Sequence, residues 1–72
     1  MDIIIVGSGK VGFSLAEQLA LEEHNVTVID DDEDSLRRAA DQLDVMTVQG
    51  NGVSAASLRE AGANSADLLV AT

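Results

Sequence analysis

IIIVGSGKVG, residues 3–12, decides the fold. Four β-branched residues, Ile3 to Val6, run without a polar break. That is the pattern of a strand covered on both faces. Gly7, Gly9 and Gly12 follow in the spacing Gly-x-Gly-x-x-Gly. Beyond them Val11, Leu15 and Leu19 recur every fourth residue, with Ala16 and Ala20 beside them, which predicts an amphipathic helix. A strand, a glycine-rich turn and a helix opening at once therefore stand in sequence. Gly7 is expected to permit the tight turn. Gly9, lacking Cβ, would let an anionic group approach the backbone, and Gly12 would let the helix pack close to the strand. Glycines at a strand–helix turn can also be purely conformational. A Gly7→Ala change is expected to separate the two explanations by harming ligand binding far more than folding.

The rest of the chain repeats the alternation. The first helix is expected to end near Glu23–Asn25, and Val26–Ile29 reads as a second strand. Asp31 to Asp34 are acids suited to opening a second helix, where they meet free N–H groups and the positive end of the helix dipole. Leu36, Ala39, Ala40 and Leu43 would form its apolar face. Val45–Val48 reads as a third strand and Gly50-Asn51-Gly52 as a loop. Ser54 reads as the N-cap of a third helix with Gly62 as its C′ residue. Asp67–Ala71 supplies a fourth strand. Strands alternating with helices at this spacing predict an α/β fold, a Rossmann-like doubly wound parallel sheet with strand order 3-2-1-4. Such folds normally continue through a second half. Residues 1–72 therefore read as one domain, a dinucleotide-binding domain truncated after strand four, with apolar surface left on that strand.

The second strand ends in an acid, Asp30. A carboxylate there suits the ribose hydroxyls of an adenine nucleotide whose phosphates lie on the glycine turn, at the positive end of the helix. Its plain alternative is one more helix-opening acid in the run DDDED, residues 30–34. Asp31 and Asp32 carry the same pair of readings. A 2′-phosphate beside these acids would meet like charge, and Arg37 and Arg38 lie about two turns into the next helix. NAD(H), or another adenine nucleotide such as ATP or ADP, is preferred over NADP(H). Lys10 reads either as a phosphate contact or as a solvated loop lysine. Asn51 and Gly52 flank the adenine or form a simple turn. His24 reads as a solvated helix-end residue, and Phe13, the only aromatic, lies off the helix's apolar face. The chain lacks Tyr and Cys, and its one His has no place at the ligand edge. Binding without catalysis is the expectation, and the protein is not read as an enzyme. The cofactor-binding half of an NAD-dependent dehydrogenase is the alternative that the glycine turn and Asp30 fit equally well.

Composition narrows the partners. At 72 residues there is room for one small domain, and 46% hydrophobic content supports a modest core. Acids outnumber bases 13 to 4, giving a net charge of −9. That balance argues against nucleic acid, which needs a positive footprint, and against anionic lipid. No signal-peptide pattern and no apolar run of membrane-spanning length occur in the 72 residues. A soluble chain without direct lipid insertion is expected.

Four stretches together carry a family resemblance: IIIVGSGKVG (3–12), LAEQLALEEHNVTVID (15–30), VQGNG (48–52) and LREAGANSADLLVAT (58–72). Over its whole length the chain resembles the N-terminal RCK/KTN domain of Trk-type potassium uptake regulators. The last stretch is the most diagnostic, since dehydrogenases share the glycine turn. The resemblance implies a cytoplasmic regulatory subunit, peripheral to the inner membrane. It would assemble as a homo-oligomeric ring beneath a membrane potassium transporter and bind NAD(H) or adenine nucleotides. It places nucleotide contacts at Gly7, Ser8, Gly9, Lys10 and Val11, at Asp30, and at Asn51, where many relatives carry Asp. It also brings Thr72, at the end of strand four, close to the ligand. Phe13 departs from a position that is often small.

Overall fold

The computed structural model describes residues 1–51, 55–60 and 62–72. The chain forms β1 (Asp2–Val6), α1 (Lys10–Leu21), β2 (Asn25–Asp30), α2 (Glu33–Gln42), β3 (Met46–Gln49), α3 (Ala55–Glu60), a 3-10 turn (Ala63–Ser65) and β4 (Leu68–Ala71). All strand pairs are parallel, and the sheet order is β3-β2-β1-β4. This is the doubly wound α/β arrangement expected from the alternation.

The β-branched run explains why β1 is central. Successive side chains of a strand point to opposite faces. Ile3 and Ile5 join Val26, Val28, Ala16 and Leu36 in one core layer, with Leu15, Leu19, Leu43 and Val45 packed against it. Ile4 joins Ile29 and Val48 in the other, against Val6, Leu58 and Ala66. So α1 and α2 cover one face of the sheet, and Leu58 of α3 sits on the other. A strand clothed on both sides needs no polar alternation.

The expected helix faces hold except at Val11 and Ala40. Val11 is 71% exposed, whereas Gly12 and Ala16 of α1 are buried. The helix presses its smallest residues onto the sheet, with Leu15 and Leu19 packed beside them as expected, and Val11 is turned outward. In α2, Leu36 and Ala39 are buried and Ala40 is exposed. The first helix stops at Leu21, earlier than its composition suggests, and Glu23 turns the chain with φ +67. Gly62 has φ +86 and its N–H donates to the Arg59 carbonyl at 3.0 Å, as a C′ glycine does. The proposed Ser54 cap lies outside the described residues. Of the acids Asp31 to Asp34, Asp32 is the N-cap of α2: its Oδ1 accepts from the Asp34 N–H and its Oδ2 from the Ser35 hydroxyl. His24 lies 3.9 Å from a Glu22 carboxylate oxygen, near the end of α1.

Registers align the carboxyl ends of the strands. Val6 pairs with Ile29 and Ala71, and Asp30 pairs with Gln49. Gly7, Asp30, Gly50 and Thr72 therefore come together along one edge of the sheet. Ligands of open α/β sheets bind at that edge, where the strand order reverses.

Candidate nucleotide site

Gly7 leaves β1 with φ +103, a conformation that side chains rarely adopt. A Cβ there would also lie 2.6 Å from Thr72 Oγ1. Gly7→Ala would thus strain the fold itself, and it cannot separate binding from folding as the sequence suggested. Gly12 is held even more tightly: a Cβ would meet the Gly7 carbonyl oxygen at 2.0 Å. Gly9 is different. Nothing lies within 4 Å of its virtual Cβ, so no neighbour in the fold demands glycine there.

Gly9 is the N-cap of α1, and the first helical hydrogen bond runs from the Phe13 N–H to the Gly9 carbonyl at 2.8 Å. The N–H groups of Lys10, Val11 and Gly12 precede that ladder. No side chain caps them, and no acid lies in the first turn. The contrast with α2 is informative. That helix opens on a capping Asp32 followed by Glu33 and Asp34. In a chain so rich in acids, the positive end of α1 thus carries no side-chain anion, unlike that of α2.

Asp30 stands at the end of β2, beside the glycine turn. Its Oδ2 accepts two hydrogen bonds from Ser8, from the N–H at 2.7 Å and from the hydroxyl at 2.7 Å. Its Oδ1 accepts the Asp32 N–H at 2.8 Å. Its backbone carbonyl accepts the Gly50 N–H at 2.9 Å, and the Gly7 N–H donates to the Ile29 carbonyl at 2.8 Å. Burial acts to raise the Asp30 pKa, but the hydrogen bonds from Asp32 and Ser8, and one involving the Asp31 side chain, outweigh it. The carboxyl is held below its ordinary value of 3.8 and is ionised at neutral pH.

Val6, Gly7, Ile29, Asp30, Asp31, Gly50 and Asn51 line a cleft of about 160 Å³ at this edge. Whole-ligand pockets span roughly 300–1,000 Å³, so this cleft suits one sugar or ring of a nucleotide. Apolar Val6 and Ile29 supply the floor and two carboxylates the rim. Gly7, Asp30 and Asn51 thus share one cleft. Thr72 sits behind the turn: its N–H donates to the Val6 carbonyl at 2.9 Å, and its hydroxyl lies 3.0 Å from that carbonyl and 3.3 Å from that of Gly7. Lys10 and Gly9 line a second cleft with Phe13, Ser14, Arg38 and Gln42. The exposed Val11 side chain lines neither cleft, although its N–H belongs to the open helix end.

Ser8 departs most from expectation. It is 2% exposed, and its hydroxyl is spent on Asp30 rather than offered to solvent. Sequence reasoning missed this contact, as well as the packing of Thr72 on Gly7 and Gly12. The signal for the first was a small hydroxyl residue between two glycines, facing an acid at the end of the neighbouring strand. Arg37 is held by Glu33 at 3.2 Å and Asp34 at 3.7 Å in the first turns of α2. Among the described residues no His, Cys, Asp and Glu side chains cluster as metal ligands, and no helix is long and apolar enough to cross a membrane.

Residues 3–72 match the model of the TrkA-N domain. The chain is 51% identical over 71 residues to the Trk system potassium uptake protein TrkA of Halomonas elongata, covering 99% of this chain and 16% of that protein. It is 45% identical over 71 residues to the Trk system potassium uptake protein TrkA of Vibrio alginolyticus, with the same coverage of both. It is 39% identical over 71 residues to a TrkA homolog of Methanothermobacter thermautotrophicus, covering 99% of this chain and 33% of that protein. The chain therefore spans about one sixth of the length of the first two relatives and a third of the last. With strand, glycine turn, helix and strand-end acid all in place along the matched span, this chain belongs to the TrkA-N domain family.

Proposed function

We propose that this chain binds an adenine nucleotide, NAD(H) in first place, and acts as a regulatory part of a potassium uptake system. The observation that carries the binding is the pairing of an uncapped α1 N-terminus with an ionised Asp30 across a single turn. The first suits phosphate and the second suits sugar hydroxyls. Gly7, Ser8, Gly9, Lys10, Val11, Gly12, Asp30, Asn51 and Thr72 form the proposed site, Ser8 and Thr72 from behind the turn. Asp31 on the rim, with Arg37 engaged by Glu33 and Asp34, favours NAD(H), ATP or ADP over NADP(H).

The potassium system is supported by the names of the relatives, each a Trk system potassium uptake protein or its homolog. Those names weigh against the dehydrogenase alternative. In this account the protein is cytoplasmic and not an enzyme. It lies at the inner membrane through contacts with a potassium transporter subunit, as part of a homo-oligomer. Residues 1–72 are read as the first half of a larger doubly wound domain. Leu68 and Leu69, 45% and 52% exposed on edge strand β4, support a continuation beside that strand. A ligand regulates such an assembly only by binding one of its conformations better than another.

Calorimetric titration with NADH and NADPH tests the nucleotide assignment. NADH is expected to bind at least about tenfold more tightly, because the 2′-phosphate would sit against two carboxylates. Equal affinity would remove Asp30 and Asp31 from the ribose site.

A further inference from the structure

Ser8 Oγ and the Ser8 N–H converge on one oxygen of Asp30, both at 2.7 Å. A carboxylate oxygen has two lone-pair directions, so Oδ2 is filled from within the protein. Oδ1 receives only the Asp32 N–H, at 2.8 Å, and keeps one direction open. The Ser8 side chain is buried, so a ligand reaches Asp30 from the cleft and not through Ser8.

We propose that Ser8 is a positioning residue, not a ligand contact. It fixes the Asp30 carboxylate so that a single acceptor on Oδ1 faces the cleft, and the site recognises one ribose hydroxyl of an adenine nucleotide rather than both. This rests on the nucleotide assignment above and deepens it. The α1 N-terminus holds phosphate, the Ser8–Asp30 pair sets the carboxylate before the ligand arrives, and the ribose is read at one position. Because Ser8 lies between Gly7 and Gly9, the same two hydrogen bonds tie the phosphate-binding turn to the end of β2. The two halves of the site are thereby held at a fixed spacing.

The test uses ADP, the portion common to NAD and ATP, with 2′-deoxy-ADP and 3′-deoxy-ADP, each titrated into the unmodified protein. One deoxy analogue is expected to bind roughly tenfold or more weakly than ADP, the value of a hydrogen bond to a charged acceptor. The other should stay within about threefold. Ser8→Ala should then weaken ADP by about fivefold or more, yet leave the already weakened analogue nearly unchanged, because Ser8 acts through the hydroxyl that this analogue lacks. A purely structural role would weaken all three ligands alike. Equal losses for the two analogues on the unmodified protein would overturn the single-hydroxyl reading without any variant. Similar losses on all three ligands in Ser8→Ala would overturn the positioning role. Failure of ADP itself to bind the unmodified protein would overturn the nucleotide assignment and this proposal with it.

Discussion

Gly12→Ala is expected to unfold the domain, whereas Gly9→Ala, three residues earlier in the same motif, should leave it folded but weaken nucleotide binding. At Gly12 a methyl group would sit 2.0 Å from the Gly7 carbonyl oxygen and 2.9 Å from its carbon. Those are backbone atoms of the turn that ends β1, so no side chain can swing aside. Relief would require lifting α1 from the sheet, where buried Ala16 also packs. Overpacking in a core costs about 1–3 kcal/mol even where side chains can adjust. A domain of this size has roughly 4–11 kcal/mol in total, so a rigid overlap of this kind removes most of it. At Gly9 the added methyl meets nothing. The change from glycine to alanine at an N-cap costs no more than about 1 kcal/mol. What the methyl does fill is the approach to the open N–H groups of α1, so nucleotide affinity should fall by about tenfold or more. Urea denaturation of both variants, followed by NADH titration of whichever folds, checks the contrast. If Gly9→Ala bound NADH normally, phosphate would not be lying over that backbone.

Asp30→Asn is expected to lose nucleotide binding and, in addition, to loosen the turn before any ligand is present. The amide replaces an oxygen that now accepts from the protein with an NH2 group. It must face either the two Ser8 donors or the Asp32 N–H. A donor set against a donor is the costly case for a hydrogen-bonded group. Affinity should drop by roughly tenfold or more, and the urea midpoint should fall without ligand. The unmodified protein should show the same dependence through pH. The Asp30 pKa is lowered in the fold, with burial opposing and the hydrogen bonds of Asp32 and Ser8 prevailing. A group whose pKa is lowered by folding contributes stability that is fully present above its unfolded value, about 3.9. That contribution is lost as pH falls through the lower, folded value. NMR titration of the Asp30 carboxyl should therefore show a midpoint below that of an ordinary aspartate, and Ser8→Ala should move it upward. A midpoint at or above the ordinary value would mean that the Ser8 and Asp32 hydrogen bonds do not hold in solution.

Much of this was legible in the residues. An unbroken β-branched run reads as a central strand because only a sheet covered on both faces buries Ile3, Ile4 and Ile5 together. The alternation of strands and helices leads to the 3-2-1-4 order. Gly62 could be placed because a helix end favours a residue free to take positive φ, and it does so. Val11 satisfies helical spacing as well as Gly12 does, but spacing cannot tell that the closest approach to the sheet belongs to the residue without a side chain. The capping of α2 was blurred in the same way. Five acids in a row, Asp30 to Asp34, look alike in sequence. In the fold Asp30 faces the glycine turn, Asp31 the cleft and Asp32 its own helix. The Ser8–Asp30 contact joins residues on two different strand ends, and only the parallel register of β1 and β2 brings them together. Local pattern does not encode such contacts, although it does encode the strands that create them.

The central claim is that the carboxyl edge of this sheet holds an adenine dinucleotide between the α1 N-terminus and Asp30. The most direct test is an amide NMR titration of the protein with NADH. The account predicts saturable shifts at Gly7 to Gly12, at Asp30 and Asp31, and at Gly50 and Asn51. Amides remote from that edge, such as His24 and Asp44, should stay in place. Millimolar NADH that leaves the glycine turn and Asp30 unmoved, or that shifts only residues away from this edge, would contradict it.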